Sequence, residues 1–257
     1  MKVLKLNKGI EEGLKDLLYT ILKEGKADVV LTLMENKNGE PFYAFISSPE
    51  KIKESAPLSP FMPCQAGKIL SRFTCRGKSP EKIVAVMRPC EIHAFIELVK
   101  REQGDIANIV FISTICFGVY PIKLIKNGNL REKKEEYFKL ISEGKLPLDI
   151  RPTCRACQNI LPHFADMIVN PASSFCEIFL KSEKGEKLAE GMGEIEEKEI
   201  EISELKALRE TERERLKKKY GFDKMKFEDV IKLFGRCLNC HSSVSYTHLT
   251  LPTTERV

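Results

Sequence analysis

Nine cysteines are the residues of this chain most able to do chemistry, and their spacing sorts them. Cys154 and Cys157 form a C-x-x-C pair inside Arg151-Pro152-Thr153-Cys154-Arg155-Ala156-Cys157. Such a loop presents two sulfurs to one centre, whether that centre is zinc, a redox dithiol or an iron–sulfur cluster. Cys90 follows Arg88-Pro89 directly, in the first turn of a helix, and Cys116 closes the apolar run NIVFISTI. Together these four thiols supply enough ligands for a 4Fe–4S cluster. Arg88 and Arg155, with Arg151, are candidate counter-charges that would offset the cluster's negative charge and tune its potential. Cys64 follows Pro63 as Cys90 follows Pro89, so it is the reserve ligand. Cys75 is ambiguous, and Cys176, within SFCEIFL, reads as a core thiol.

A second pair, Cys237 and Cys240, lies near the end of the chain. A Cys in place of Ser243 would give C-x2-C-x2-C, the opening of a bacterial ferredoxin run. Val244 to Thr253, VSYTHLTLPT, resembles a translated sequencing-library adapter. Residues 244–257 are therefore expected to be a non-native tail, with Ser243 a hybrid codon where Cys stood. On that reading the natural chain continues and completes a second cluster. The rival is a zinc site joining Cys154/Cys157 to Cys237/Cys240. The separation of those pairs far exceeds the roughly 15–20 residues of a zinc ribbon, which ranks it below iron–sulfur.

The elements around these cysteines read as α/β. Residues 9–25 place Ile10, Leu14, Leu17, Leu18 and Leu22 on one helical face. ADVVLTLME and PFYAFIS read as strands around a turn at Asn36-Lys37-Asn38-Gly39. A helix is expected from Pro63 over CQAGKILSRF. KIVAVM, the helix opened by Pro89, and NIVFISTI form a strand–helix–strand unit, which favours a parallel pair. Cys90 and Cys116 would then emerge at one edge of the sheet, where open α/β sheets place their ligands. A helix N-terminus favours an anion, and a thiolate-held cluster is one. Further on come a charged helix at 129–143, a Pro- and Cys-containing loop at 146–162 and strands at 165–169 and 174–180. A short helix, an exposed strand at 193–202 and a long helix at 203–220 with Ser203 as N-cap follow. The expected fold is a mixed, partly parallel sheet flanked by helices, with a Cys-rich cluster-binding loop and a truncated ferredoxin-like C-terminus. The expected regions are 1–145, 146–222, 223–243 and the tail 244–257.

Composition narrows the functional classes. The chain has 257 residues, 42% hydrophobic and 31% charged, which is ordinary for a globular protein. A net charge of +5, from 42 basic and 37 acidic residues, gives no case for nucleic acid. In 183–219 twelve Glu nearly balance ten Lys and Arg, so this stretch reads as a solvated face. The most apolar stretch, 106–122, is interrupted by Asn108, Ser113 and Thr114, so no membrane span is expected. The opening residues carry no signal-peptide core, and a cytoplasmic location is expected. Nine cysteines there would be ligands more readily than disulfides.

The cysteine-bearing segments resemble a known family. IVAVMRPCEIHAFIELVKREQGDIANIVFISTICF (83–117) is similar to a segment of the beta subunits of coenzyme F420-reducing hydrogenases and F420-linked formate dehydrogenases. There a strand leads into a Pro-Cys helix and a later strand ends in Cys. CRACQNILPHFADMIV, FLKSEKGEKLAEG and LLYTILKEGKADVVLTL resemble other parts of the same family, over about 9–202 in all. The resemblance implies an iron–sulfur flavoprotein subunit. Cys90, Cys116, Cys154 and Cys157 match the family's cluster positions. It also implies partner subunits of a hydrogenase, formate dehydrogenase or heterodisulfide-reductase-like complex. Electrons would pass to a hydride acceptor such as coenzyme F420, through FAD where flavin is bound. One departure stands out. Where the family carries a Gly-rich, flavin-holding stretch, this chain reads LNKGIEEGLKDL, Gly-poor and acidic.

Overall fold

A computed structural model describes residues 1–127, 129–221 and 224–234. The strands are β1 (Lys2–Leu6), β2 (Val29–Glu35), β3 (Pro41–Ile46), β4 (Ile83–Val86), β5 (Ile109–Thr114), β6 (Met167–Val169), β7 (Cys176–Leu180) and β8 (Glu194–Glu197). The helices are α1 (Ile10–Lys23), α2 (Ala66–Thr74), α3 (Pro89–Lys100), α4 (Ile122–Asn127), α5 (Leu130–Ser142), α6 (Pro152–Arg155), α7 (Glu183–Ala189), α8 (Ser203–Tyr220) and α9 (Phe227–Phe234), with a 3-10 turn at Pro49–Glu54.

All eight strands lie in one sheet, ordered β3-β2-β4-β5-β6-β7-β1-β8. The centre, β2-β4-β5-β6, is parallel, and both flanks are antiparallel. The sheet is mixed, as its sequence predicts. β4 is buried along its whole length (IVAV), as a strand covered on both faces must be. Its residues alternate between two apolar layers. Ile83 and Ala85 face the layer of Leu70, Phe95 and Ile141 from α2, α3 and α5. Val84 and Val86 face Leu14, Leu18 and Ile21 of α1. Strands from 1–145 and from 146–222 share this sheet.

β1 forms where the sequence carries no strand expectation. It sits between β7 and β8 and pairs with both, Leu4 opposite Ile178 and Ile195. α2 begins at Ala66 rather than just after Pro63. Gln65 is extended, and its side chain accepts a hydrogen bond from the Gly67 amide at 3.2 Å. The exposed strand shrinks to four residues. Ser203 is the first helical residue of α8 and not its N-cap; its amide donates to the Glu201 carboxylate at 3.0 Å. The loop 146–162 contains the single turn α6. Among the described residues no helix is long and apolar enough to cross a membrane.

Candidate functional site

Two parallel strands and one tight loop position the four central cysteines. β4 runs out at Val86, Pro89 starts α3, and Cys90 falls in its first turn. The Arg88 amide donates to the Glu91 carboxylate at 3.0 Å, which holds the entry of α3. Glu91 is fully buried and also accepts from the Ala66 amide at 2.9 Å and the Tyr43 hydroxyl at 2.8 Å. One carboxylate thus ties β3, α2 and α3 together. Burial pushes its pKa up, against the backbone donors that lower it.

β4 and β5 pair in parallel, Ala85 opposite Phe111, so β5 ends beside α3, and Cys116 follows two residues beyond Thr114. Backbone bonds then draw in the C-x-x-C loop. The Cys116 amide donates to the Ile160 carbonyl at 3.0 Å, and the Arg151 amide to the Val119 carbonyl at 2.9 Å. Gly118 lies at φ +97, and a Cβ there would stand 3.0 Å from the Cys154 Cβ and 2.8 Å from Ile150 Cδ1. Only glycine lets the loop close this tightly.

Cys90, Cys116, Cys154 and Cys157 are all half-buried, and they feel one another. Burial pushes the Cys90 thiol well up, and Glu91, then Cys116, Cys154 and Cys157, add to that rise. Cys157 is pushed up to about 11, by burial first and then by Cys116. Burial thus favours the protonated form of these thiols. Among the described residues no three His, Cys, Asp or Glu side chains form a group able to hold a single metal ion.

Cations surround the thiols. Arg88 is buried, donates to the Ser59 carbonyl, and acts electrostatically with Cys116. Arg151 donates to the Met62 carbonyl at 3.0 Å. Arg155, expected as a counter-charge, is drawn to Glu212 at 2.7 Å, so much of its charge is answered there. Arg209 of α8, expected on a solvated face, is 1% exposed and donates to the Cys116 carbonyl at 3.0 Å. A weak signal was present: Ile202, Leu205 and Arg209 fall at helical spacing, and all three are buried. Among the described residues, the buried Nε atoms of Arg88, Arg155 and Arg209 have no hydrogen-bond partner. Four soft thiols among unsatisfied cationic donors fit an anionic, thiolate-held cluster.

The remaining cysteines stay apart. Cys64 and Cys75 are exposed, and Cys176 is buried in the core, as its sequence predicts. Cys237, Cys240, Ser243 and residues 244–257 lie outside the described residues. The flavin-holding place fares poorly. The first turn of α1 carries Glu11 and Glu12, and Glu11 pairs with Lys134 at 3.2 Å. Lys15 also lies 3.7 Å from Glu11, so Glu12 is the carboxylate of this turn left to oppose an anion at the helix end.

No protein-family model matches the chain. It is 26% identical, over 88% of its length and 68% of the relative, to the F420-dependent formate dehydrogenase subunit beta of Methanocaldococcus jannaschii. It is 24% identical, over 92% of its length and 71% of the relative, to the F420-dependent formate dehydrogenase 1 subunit beta of Methanococcus maripaludis. The chain is similar to the beta subunits of F420-dependent formate dehydrogenases. Its fold is also that of a chain of the F420-reducing [NiFe] hydrogenase complex from Methanosarcina barkeri. That match has a TM-score of 0.56 at 13% identity and covers 86% of this chain and 90% of the other.

Proposed function

We propose that this chain is an electron-transfer subunit of an oxidoreductase complex that holds a 4Fe–4S cluster on Cys90, Cys116, Cys154 and Cys157. The observation that carries this reading is the convergence of four half-buried thiols from three chain segments at the carboxyl edge of the parallel strands, among buried arginines. A 4Fe–4S cube takes one thiolate at each of four corners, so it asks for spaced sulfurs rather than a single meeting point. When bound, the cluster supplies one-electron transfer. The chain's own residues hold it: the Pro89 turn fixes Cys90, the end of β5 fixes Cys116, and Gly118 lets Cys154 close in. Arg88 lowers the cost of negative charge there.

Its mates would be other subunits of a formate dehydrogenase, hydrogenase or heterodisulfide-reductase-like complex, and beyond them a hydride acceptor such as coenzyme F420. Both curated relatives are named as subunits of F420-dependent formate dehydrogenases, which supports this choice. Cys237 and Cys240 would begin a second cluster in a longer chain. A cytoplasmic location accords with reduced thiols. With α1 opening on two glutamates, a relay without flavin is the form favoured here.

The test is an anaerobic absorption spectrum of the purified chain, with iron, zinc, sulfide and flavin quantified on the same sample. A broad shoulder near ~400 nm, bleached by dithionite and matched by iron and sulfide, is expected. Stoichiometric flavin would restore direct hydride transfer as the form. A colourless protein carrying zinc without sulfide would overturn the reading in favour of a zinc-stabilised binding module.

A further inference from the structure

We propose that Arg209 is the built-in counter-cation of the four-cysteine centre, so that α8 acts as a strap carrying a positive charge onto the cluster. This rests on the cluster reading above, but it concerns a residue and an element that the cysteine pattern does not include.

The observations are geometric. α8 carries three guanidinium groups in sequence, and two are answered by carboxylates of the same helix. Arg213 lies 3.7 Å from Glu210, and Arg215 lies 3.0 Å from Glu212. Arg209, one turn earlier, is 1% exposed and has no carboxylate partner among the described residues. Its Nη2 donates to the Cys116 carbonyl at 3.0 Å, and its Nε is buried without a partner among the described residues. It would stand 3.7 Å from a Cβ on Gly118, and that Cβ would in turn stand 3.0 Å from the Cys154 Cβ. Burying a guanidinium without an anion is costly, so in the folded protein something negative must answer it. The groups at hand are four thiols, which become anionic when they ligate a cluster.

α8 is fastened to deliver that charge. Glu212 pairs with Arg155 at 2.7 Å, and Gln158 donates to Glu210 at 2.7 Å. These two ties grip the C-x-x-C loop from either side of Cys157, and Leu205 seats the helix in the core. Arg155 has a carboxylate in contact, Glu212, which it shares with Arg215; Arg209 has none among the described residues. A cluster held here would gain one negative charge with each electron, and Arg209, a cation in a low-dielectric surrounding, would stabilise that reduced form. The charge therefore raises the reduction potential of the centre.

The full chain, purified anaerobically, would be compared with R209Q, R209K and R213Q. Iron, sulfide and far-ultraviolet circular dichroism are read on each, and the midpoint potential is found by dithionite titration followed by electron paramagnetic resonance. R209Q is expected to keep native dichroism and take up its electron at a lower potential. R209K should return most of the shift, because it restores the charge without the planar fork. R213Q removes the same charge from the solvated part of α8 and should leave the potential unmoved. Loss of iron from folded R209Q with retention in R209K would equally support the proposal. An R209Q protein with full iron and an unchanged potential overturns it. So does an equal shift in R213Q, and so does loss of iron from both Arg209 variants, which would assign Arg209 to the fold alone. Wild-type chain without iron and sulfide overturns the cluster reading itself, and that is seen before any variant is made.

Discussion

Cys90 and Cys176 are both shielded thiols beside the same sheet, and they differ in the thiols and cations around them. Cys176 begins β7 on the antiparallel flank, where α1 presses on it. A Cβ on Gly13 would come within 2.5 Å of the Cys176 Cβ and 2.9 Å of its sulfur. Burial pushes this thiol up to about 12, and carboxylates, Asp16 and Glu177, add to the rise. Cys90 is pushed up by burial and by a carboxylate, Glu91, too, but its further neighbours include three more thiols, with Arg88 and Arg209 near the group. Burial alone therefore does not make a site. What sets Cys90 apart is a group of neighbouring thiols and nearby cations, and the parallel half of the sheet brings them together because its strand ends all open at one edge.

The comparison breaks most directly at the C-x-x-C loop. Replacing Cys154 and Cys157 together by Ser should abolish bound iron, sulfide and visible absorbance, whereas Cys176→Ala should keep all three. Retained iron in the double variant would sink the ligand assignment. Two glycines sharpen it next. Gly118→Ala forces a Cβ at φ +97 into Ile150 and Cys154, at a cost of about 1–3 kcal/mol, and should lower iron content as well as the melting temperature. Gly13→Ala overpacks Cys176 and should cost about 1–3 kcal/mol too, yet leave iron content unchanged. Equal iron loss in both would mean that the two regions are not independent.

A smaller effect comes from His93, on α3 near the cysteine edge. Burial first, and then His163, lower its pKa to about 4 from 6.5. Between those values the unfolded chain binds the proton that the folded one refuses, so stability should fall as pH drops from about 6.5 toward 4. Denaturant melts of the metal-free chain at pH 7 and pH 5 should show that loss, and His93→Gln should reduce it. The smallest effect belongs to Cys64 and Cys75, both exposed. Changing either to Ser should leave iron and stability untouched, while both should react first with a thiol reagent. Iron loss in Cys64→Ser would bring the reserve ligand into the centre.

Much of the parallel half was legible because its signals are local. IVAV, Pro89 and NIVFISTI each announce their element, and the crossover length allows a parallel pair. The C-x-x-C loop and the α5 boundaries are legible for the same reason. β1 was not, because a five-residue strand whose partners, β7 and β8, lie far along the chain has no local signature. The start of α2 slipped because Gln65, rather than the proline turn, caps it.

The order of strands and helices around the cysteines, the four spaced thiols and their proline and glycine neighbours are properties of the sequence, because propensity and periodicity act over a few residues. Which thiols meet was decided by the tertiary structure: Cys64 is left at the surface, while Cys116 is stitched to Ile160. The charges were decided there too, since Arg155 turns to Glu212 and Arg209 is carried in from a helix whose composition reads as solvent-facing. An ion pair or a buried cation depends on distance and dielectric, and both exist only once remote segments have packed together.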